Sequence, residues 1–160
     1  MFIYATTLKR CLLWLAGIVF CAILIFAVYR LSTPRDMRKH FYHPAKTTEE
    51  QTAFLAQFGC QVRPEPVEQS EVRIPEAFDT VYETYEDIIN RDGYSLLPYR
   101  GKVIMRYTYL VTNHRESANQ DVYANLLVDD GKIVGGDICS RALNGFMQSF
   151  SEFVPAPPQS

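Results

Sequence analysis

The residues best suited to chemistry stand together in the segment GKIVGGDICS, residues 131–140, where two glycines precede Asp137 and Cys139. The segment reads as a strand, and glycine inside a strand indicates a bulge, a bend or a close backbone approach. In the structural interpretation, Gly135 and Gly136 only bend the sheet. In the functional interpretation, the bend presents Asp137 to a small ligand or peptide as a hydrogen-bond acceptor, or to the substrate of an enzyme or enzyme accessory. A phosphate site is disfavoured, because the segment has no lysine and no glycine-rich loop that leads into a helix.

The cysteines allow a second kind of chemistry. Cys11 and Cys21 lie in an apolar run, whereas Cys60 and Cys139 lie in the body of the chain. Two body cysteines in an extracytoplasmic domain could form a disulfide or act in thiol redox chemistry, and otherwise they are buried thiols. Zinc sites need four ligands at short, paired spacings, which these two cysteines lack. We therefore expect no metal and no cofactor.

The histidines give little support for a metal site or a catalytic triad. His40 and His43 stand three residues apart in a linker, which is at most half of a metal site. His114 belongs to a polar loop at residues 114–121, and we expect it on the surface. The G-x-S-x-G pattern of a serine hydrolase is absent from the sequence.

Periodicity and turn signals predict an α+β body. Thr47 and Glu50 form a capping-box pattern and Gly59 suits a helix end, which predicts a helix over residues 48–58. An Asp-Gly pair at residues 130–131 predicts a tight hairpin turn. The other predicted elements are an edge strand or two short pieces at 60–74, a helix at 76–91, strands at 102–113, 122–128 and 132–140, and a short helix or turn at 141–150. This order predicts an antiparallel sheet of three to four strands with helices packed on one face.

The strand at residues 102–113 indicates a docking surface. If Tyr107 and its alternate neighbours face the helices, then Arg106 and its alternate neighbours face outward on the open side of the sheet. Tyrosine and arginine are favoured at recognition surfaces. We therefore predict a binding site made from Arg106, Tyr107, His114 and Asp137, which would take an envelope protein, a peptide or a surface polymer.

The amino-terminal part of the chain differs from the body. Residues 11–29 carry no charge, and this run is close to the roughly 20 apolar residues that a membrane-spanning helix needs. No small-residue cleavage pattern follows the run, so we predict a retained, single-pass signal-anchor rather than a cleaved signal peptide. The predicted organisation is a flank at 1–10, a transmembrane helix at 11–29, a basic linker at 30–46, a soluble domain at 47–150 and a disordered tail at 151–160.

Charge places the chain at a membrane rather than on a nucleic acid. Residues 1–43 carry six basic residues and one acid, and the net charge of the whole chain is −2, so the body is clearly acidic. A nucleic-acid-binding domain would need a basic face. Basic residues are nearly balanced around the apolar run, with a slight lean towards a cytoplasmic body. A short leader before a single long apolar span is typical of a signal-anchor, so we favour the body on the extracytoplasmic side of the cell membrane.

The body resembles the bacterial domain-of-unknown-function family 4830, which consists of membrane-anchored proteins mostly of Gram-positive bacteria. The resemblance covers roughly residues 47–147 and is carried by the segments TTEEQTAFLAQFG, VRIPEAFDTVYETYEDI, GYSLLPYRGK, YTYLVTN, VYANLLVDDGKIVGGDICS and NGFM. It implies a small α+β envelope domain without an assigned activity, and it supplies no catalytic residues. We therefore expect a non-catalytic binding or structural module at the cell envelope. The alternatives are an enzyme or enzyme accessory that uses Asp137, and a redox protein that uses Cys60 and Cys139.

Overall fold

The computed structural model describes residues 43–157. The predicted flank at 1–10, the predicted transmembrane helix at 11–29 and almost all of the predicted linker at 30–46 lie outside the described residues. Between residues 43 and 157, no helix is both long enough and apolar enough to cross a membrane.

The described part of the chain forms two α-helices and one five-stranded antiparallel sheet. In chain order, its elements are helix α1 (Thr48–Ala56), strand β1 (Glu68–Arg73), helix α2 (Thr80–Asn90), a 3-10 helix (Leu97–Tyr99), strands β2 (Val103–Val111), β3 (Val122–Asp129), β4 (Lys132–Ser140) and β5 (Met147–Gln148), and a second 3-10 helix (Phe150–Glu152). The strands lie in the order β1-β2-β3-β4-β5, and each neighbouring pair is antiparallel. The α+β class is confirmed, and the sheet has five strands instead of the predicted three to four.

Each α-helix begins where a side chain caps it. Thr47 Oγ1 accepts a hydrogen bond from Glu50 N, and Glu50 Oε2 accepts one from Thr47 N, both at 3.3 Å, so the predicted capping box is present. Helix α2 begins at Thr80 rather than at residue 76. The reason is that Asp79 Oδ1 accepts a backbone hydrogen bond from the first turn at 2.9 Å, which makes Asp79 the N-cap.

The two α-helices pack on opposite faces of the sheet, so the prediction of helices on one face is wrong. On one side, the α1 face, Phe54 and Leu55 of helix α1 are buried in a core. Its strand members are Tyr109, Val111, Val122, Ala124, Leu126, Val128, Ile133 and Ile138. On the other side, the α2 face, Ile89 of helix α2 joins a smaller core. Its other buried members are Ile74, Leu96, Ile104, Leu127 and Val134. Strand β3 is buried along almost its whole length, and such a strand needs cover on both faces.

The chain after β4 packs against the domain, where we predicted a helix or turn and then a disordered tail. Residues 147–148 pair with β4 as the edge strand β5. Phe150 and Phe153 are buried in the core of the α1 face, and Pro155 forms a backbone bridge with His114. The disordered-tail prediction is therefore wrong for residues 151–157, because buried aromatic side chains hold this segment to the sheet. Residues 158–160 lie outside the described residues.

Candidate functional site

Strand β4 contains a β-bulge close to its two glycines. Leu127 of β3 pairs with Gly135, whereas the next residue, Val128, pairs with Ile133. Val134 is therefore an extra residue on β4, which is the definition of a bulge. The irregularity lies just before the acidic residue that the sequence singles out.

The two glycines of this segment have different roles. A Cβ on Gly136 would lie 2.2 Å from the backbone oxygen of Asn125 and 2.5 Å from Cζ of Phe150, and φ at Gly136 is +156°. A Cβ on Gly135 would meet nothing closer than 3.4 Å. Only Gly136 is therefore required by close packing, which favours the structural interpretation of the kink.

Asp137 lies on the α2 face, in a hydrogen-bond network that joins β2, β3 and β4 to helix α2. Tyr85 Oη donates to Asp137 Oδ1 at 3.0 Å, and Asn125 Nδ2 donates to Asp137 Oδ2 at 2.9 Å. Asn125 Oδ1 accepts from Thr108 Oγ1 at 2.8 Å, and Asn125 Nδ2 also lies 3.3 Å from Cys139 Sγ. Both oxygens of the Asp137 carboxyl group are thus engaged by neighbouring side chains.

Burial dominates the proton chemistry of this network. It raises the pKa of Asp137 above its ordinary value, although the hydrogen bonds from Asn125 and Tyr85 lower it. Burial, followed by the negative charge of Asp137, raises the pKa of Tyr85 and raises the pKa of the Cys139 thiol to about 12. Tyr85 therefore keeps the proton that it donates, and Cys139 remains a thiol. A buried carboxyl group with a raised pKa beside a cavity is a candidate functional group.

A cavity of about 610 Å³ lies between helix α2 and the sheet. Three of its polar side chains come from neighbouring strands: Arg106 on β2, Asn125 on β3 and Asp137 on β4. The rest of its lining is mainly apolar and includes Val72, Ile74, Ile88, Leu96, Leu127 and Met147. This volume, with an apolar lining and a few convergent polar groups, is typical of small-molecule sites.

Arg106 is the cation of the cavity. Its Nη2 donates to Glu68 Oε1 at 2.6 Å, and Glu68 Oε2 accepts from Arg141 Nη2 at 2.9 Å. One carboxylate therefore serves two guanidinium groups. The Nε atom of Arg106 is buried and has no hydrogen-bond partner within the described part of the chain. Among the described residues, this donor is the one buried side-chain atom of the cavity lining without a hydrogen-bond partner.

The structure brings together two of the four predicted binding residues. Arg106 and Asp137 both line the cavity. Tyr107 follows Arg106 along β2 and so points to the opposite side of the sheet, where it packs against the core of the α1 face. The two residues cannot form one docking surface, because neighbouring side chains of a strand face opposite ways.

His114 is buried, whereas we predicted a surface residue. Its ring lies 5.1 Å from the ring of Phe146, in a stacked arrangement, and 5.4 Å from the ring of Phe153. Its Nδ1 accepts a hydrogen bond from Glu116 N at 3.2 Å, and its buried Nε2 has no partner among residues 43–157. Burial lowers the pKa of His114, with the charge of Arg115 acting in the same direction. The enclosing aromatic rings give His114 a packing role.

Cys60 and Cys139 are both free and buried. Cys60 belongs to the core of the α1 face, whereas Cys139 lies beside Asn125 on the α2 face. The sheet separates the two thiols, and no disulfide joins them in the structure. Burial raises the pKa of Cys60 to about 12, as it does for Cys139, so neither residue has the thiolate character that redox exchange requires.

The polar groups of the cavity suit hydrogen bonding better than metal binding. Arg106 cannot ligate a cation, and Asp137 is a single carboxyl group whose oxygens already accept hydrogen bonds. Over residues 43–157, no group of three or more His, Cys, Asp or Glu side chains is arranged to hold a metal ion.

Sequence reasoning missed Tyr85, Thr108 and Asn125. Asn125 is the only amide in the otherwise apolar segment VYANLLV, and a lone amide among buried residues must find hydrogen-bond partners. That signal was present in the sequence. Tyr85 lies on the apolar stripe of helix α2, and the helical pattern does not distinguish a hydroxyl that reaches a carboxylate from a ring that only packs.

Comparison with known proteins identifies one similarity. The model of the family described as Domain of unknown function (DUF4830) matches residues 54–138 of the chain. The matched range extends from helix α1 into strand β4 and includes Arg106, Asn125 and Asp137 of the cavity. No curated protein and no solved structure matches the chain significantly.

Proposed function

This protein belongs to the family described as Domain of unknown function (DUF4830), whose model matches more than half of the chain, and from that premise we propose that it is a non-catalytic binding module. Its site is the cavity between helix α2 and the sheet, and its ligand is a small molecule with a largely apolar body. The observation that carries the proposal is the cavity of about 610 Å³, which is apolar except for a few polar groups that include three on β2, β3 and β4. Sites for small molecules have this composition.

The rim of the cavity supports an apolar ligand. Val81 and Met147 line the cavity and are 73% and 50% exposed. Contact with an apolar ligand would remove this surface from water, which stabilises a complex by about 25 cal/mol per Å² of apolar area. The rim would therefore contribute affinity that a purely polar entrance would lack.

The polar wall of the cavity supports recognition without rearrangement. Tyr85 and Asn125 hold both oxygens of Asp137, and Thr108 holds the amide of Asn125. Side chains that are fixed before binding lose little conformational entropy when a ligand arrives. The network thus favours a preformed site.

The direct test is binding of a neutral apolar dye, N-phenylnaphthylamine, followed by its fluorescence. We expect saturable binding to the domain and a loss of affinity of about tenfold or more in Met147→Trp, whose larger side chain would narrow the cavity. Ile88→Trp narrows the same cavity from helix α2. Leu143→Trp is the matched control, because Leu143 is fully exposed and does not line the cavity.

Two results would contradict the binding proposal. One is an absence of saturable dye binding to the folded wild-type domain. The other is dye binding that is as strong in Met147→Trp and Ile88→Trp as in the Leu143→Trp control. The dye would then occupy another surface. Circular dichroism establishes in each case that the variant is folded.

A specific observation favours an enzyme as a second candidate. Asp137 lines the cavity, and burial raises its pKa, which suits a group that exchanges protons with a substrate. Against this role, Tyr85 and Asn125 already occupy both of its oxygens. Complementation of a deletion strain separates the two: an Asp137→Asn protein that folds and binds dye but fails to complement would favour the enzyme.

We also propose that the module is anchored at the cell membrane, with its body on the extracytoplasmic side. What supports this placement is the uncharged run at residues 11–29. Because Cys60 and Cys139 are buried, they are poor reporters of topology. Leu143→Cys supplies an exposed thiol, in a background where Cys11 and Cys21 are serine. An impermeant thiol reagent should label this variant on intact cells, and labelling only after lysis would reverse the topology.

A further inference from the structure

The cavity carries a guanidinium group with an unused donor, and this indicates the chemistry of the ligand. Building on the function proposed above, we propose that the ligand is an aliphatic monocarboxylate whose chain lies in the cavity and whose carboxylate binds Arg106. Three observations support this ligand: the unmet hydrogen bond of Arg106, the charge around it, and the bonding of Asn125 and Asp137 to other side chains.

The first observation is the unsatisfied donor of Arg106. Arg106 Nε is buried and has no hydrogen-bond partner among the described residues, while Arg106 Nη2 is held by Glu68. A buried donor without a partner is unfavourable, and an acceptor brought by a ligand would relieve it. Since Nη2 is engaged, Nε would donate one hydrogen bond to a ligand carboxylate, and a hydrogen bond between two charged groups is stronger than a neutral one.

The second observation is the charge around Arg106. Glu68 is the carboxylate shared by Arg106 and Arg141, so two cations surround one anion. A ligand carboxylate would balance the second positive charge. Asp137 is the other acid of the cavity, and burial raises its pKa, which lessens its repulsion of a bound anion. A cationic ligand is disfavoured, because it would approach Arg106 while the oxygens of Asp137 are already engaged by Tyr85 and Asn125.

The third observation distinguishes an aliphatic chain from a peptide. A peptide would bring several backbone N–H and C=O groups, each of which needs a partner when buried. The strands β3 and β4 offer few, because Asn125 and Asp137 are already bonded to each other and to Thr108 and Tyr85. An aliphatic chain needs no such partners, and the apolar lining suits it.

The test compares ligands that share one chain and differ in the head group. Dodecanoate, dodecanol and dodecylamine displace N-phenylnaphthylamine from the full domain, each below its micelle concentration. We expect dodecanoate to bind about tenfold or more tightly than dodecanol, and dodecylamine to bind no better than dodecanol. Tri-leucine with a free carboxylate is the peptide arm, and we expect it to bind more weakly than dodecanoate.

Variants assign the head group to Arg106. In Arg106→Gln the preference for dodecanoate over dodecanol should disappear, while dodecanol itself still displaces the dye. Arg141→Gln is the matched control, since Arg141 also binds Glu68 but does not line the cavity. Glu68→Gln removes the negative charge that faces Arg106, although the amide oxygen can still accept its hydrogen bond, and should increase the preference for dodecanoate. This gain keeps the test decisive even if Arg106→Gln does not fold.

Different failures have different meanings. If the dye binds but dodecanoate shows no advantage over dodecanol, or dodecylamine binds best, the carboxylate proposal is wrong and the binding module stands. If tri-leucine matches dodecanoate and its amide does not, the ligand is a peptide carboxyl terminus instead. If the dye does not bind at all, the binding module and the carboxylate proposal fall together.

Discussion

The two faces of one sheet are built in different ways. On the α1 face, large side chains such as Phe54, Tyr109 and Phe150 are fully buried and fill the space between helix α1 and the strands. On the α2 face, the helix stands over a cavity of about 610 Å³ that is lined by Arg106 and Asp137. A face that is filled gains the full stabilisation of burial and packing. A face that keeps a cavity loses part of this stabilisation, and a ligand that filled the cavity would restore it.

The polar groups of the two faces differ in the same sense. On the α1 face, Tyr109 Oη donates to Gln51 Oε1 at 2.5 Å, and Gln51 Nε2 donates to Ala45 O at 2.9 Å. This chain is neutral and closed. On the α2 face, neutral groups such as Asn125 lie beside the charged side chain of Arg106, whose Nε has no partner within residues 43–157. Neutral, fully bonded groups specify a fold, whereas a charged group with a free donor is suited to recognition.

The largest expected effect is on packing. Phe54→Ala removes a fully buried ring from the α1 face and should lower the free energy of unfolding by about 3 to 5 kcal/mol. Ile88→Ala removes a half-buried side chain beside the existing cavity, and we expect about 1 kcal/mol. Urea unfolding measures both. Equal losses would show that the α2 face is as tightly packed as the α1 face, and the comparison would then be invalid.

The next effect concerns the two adjacent glycines, which face opposite ways. Gly136→Ala places a methyl group against Asn125 and Phe150 at a strained φ, and should cost about 3 kcal/mol. Gly135→Ala points towards Ile89 at an ordinary contact distance, and its effect should stay within about 1 kcal/mol. Thermal unfolding of the pair gives the difference directly. If Gly135→Ala were the less stable of the two variants, the tight packing would lie on the side of Gly135 and not on that of Gly136.

This division of the sheet could be predicted from the sequence only in part. Alternation and the Asp-Gly pair at residues 130–131 predicted β2, β3 and β4, and the capping box predicted the start of helix α1. The continuous apolar character of VYANLLV could have shown that β3 is covered on both sides. Which helix covers which face is decided by long-range packing, and the local pattern carries no information on it.

The site was predictable to a similar degree. The glycine pair and Asp137 pointed to a segment that lines the cavity, and Arg106, which we predicted on an open docking face, lines the same cavity. Tyr85 was not found, because it reaches Asp137 from a helix far away in the chain. His114 was misplaced, because its polar neighbours indicated a loop at the surface while Phe146 and Phe153 enclose its ring. Hydrogen bonds and ring contacts between distant segments are what the sequence pattern lacks.

A smaller effect separates the faces by their response to acid. Burial lowers the pKa of His114, which packs with Phe153 of the α1-face core. Below its ordinary value of 6.5 the unfolded chain takes up a proton that the folded protein does not, so stability should fall as the pH drops below that value. His114→Phe keeps the stacking and should remove this slope, at a cost of about 1 kcal/mol for the lost hydrogen bond from Glu116 N. Urea midpoints measured across this range check it, and an unchanged slope would assign the effect to other groups.

The opposite slope should come from the α2 face. Burial raises the pKa of Asp137 above 3.8, so the folded protein holds a proton that the unfolded chain has released. This contribution to stability is present below pH 3.8 and is lost as the pH rises through the raised pKa, after which the buried carboxylate remains as a penalty. Asp137→Asn keeps the shape without the charge. Its stability relative to the wild type should therefore increase as the pH rises above 3.8.

The matched control for this slope is Asp87→Asn, which removes one negative charge at an exposed position of helix α2 and corrects for the change in net charge. If Asp87→Asn reproduces the slope, the slope comes from the change in net charge and not from the burial of Asp137. If only Asp137→Asn shows it, the two faces respond to pH with opposite signs. The buried acid Asp137 on the side of the cavity and the buried base His114 on the filled side then account for the two opposite slopes.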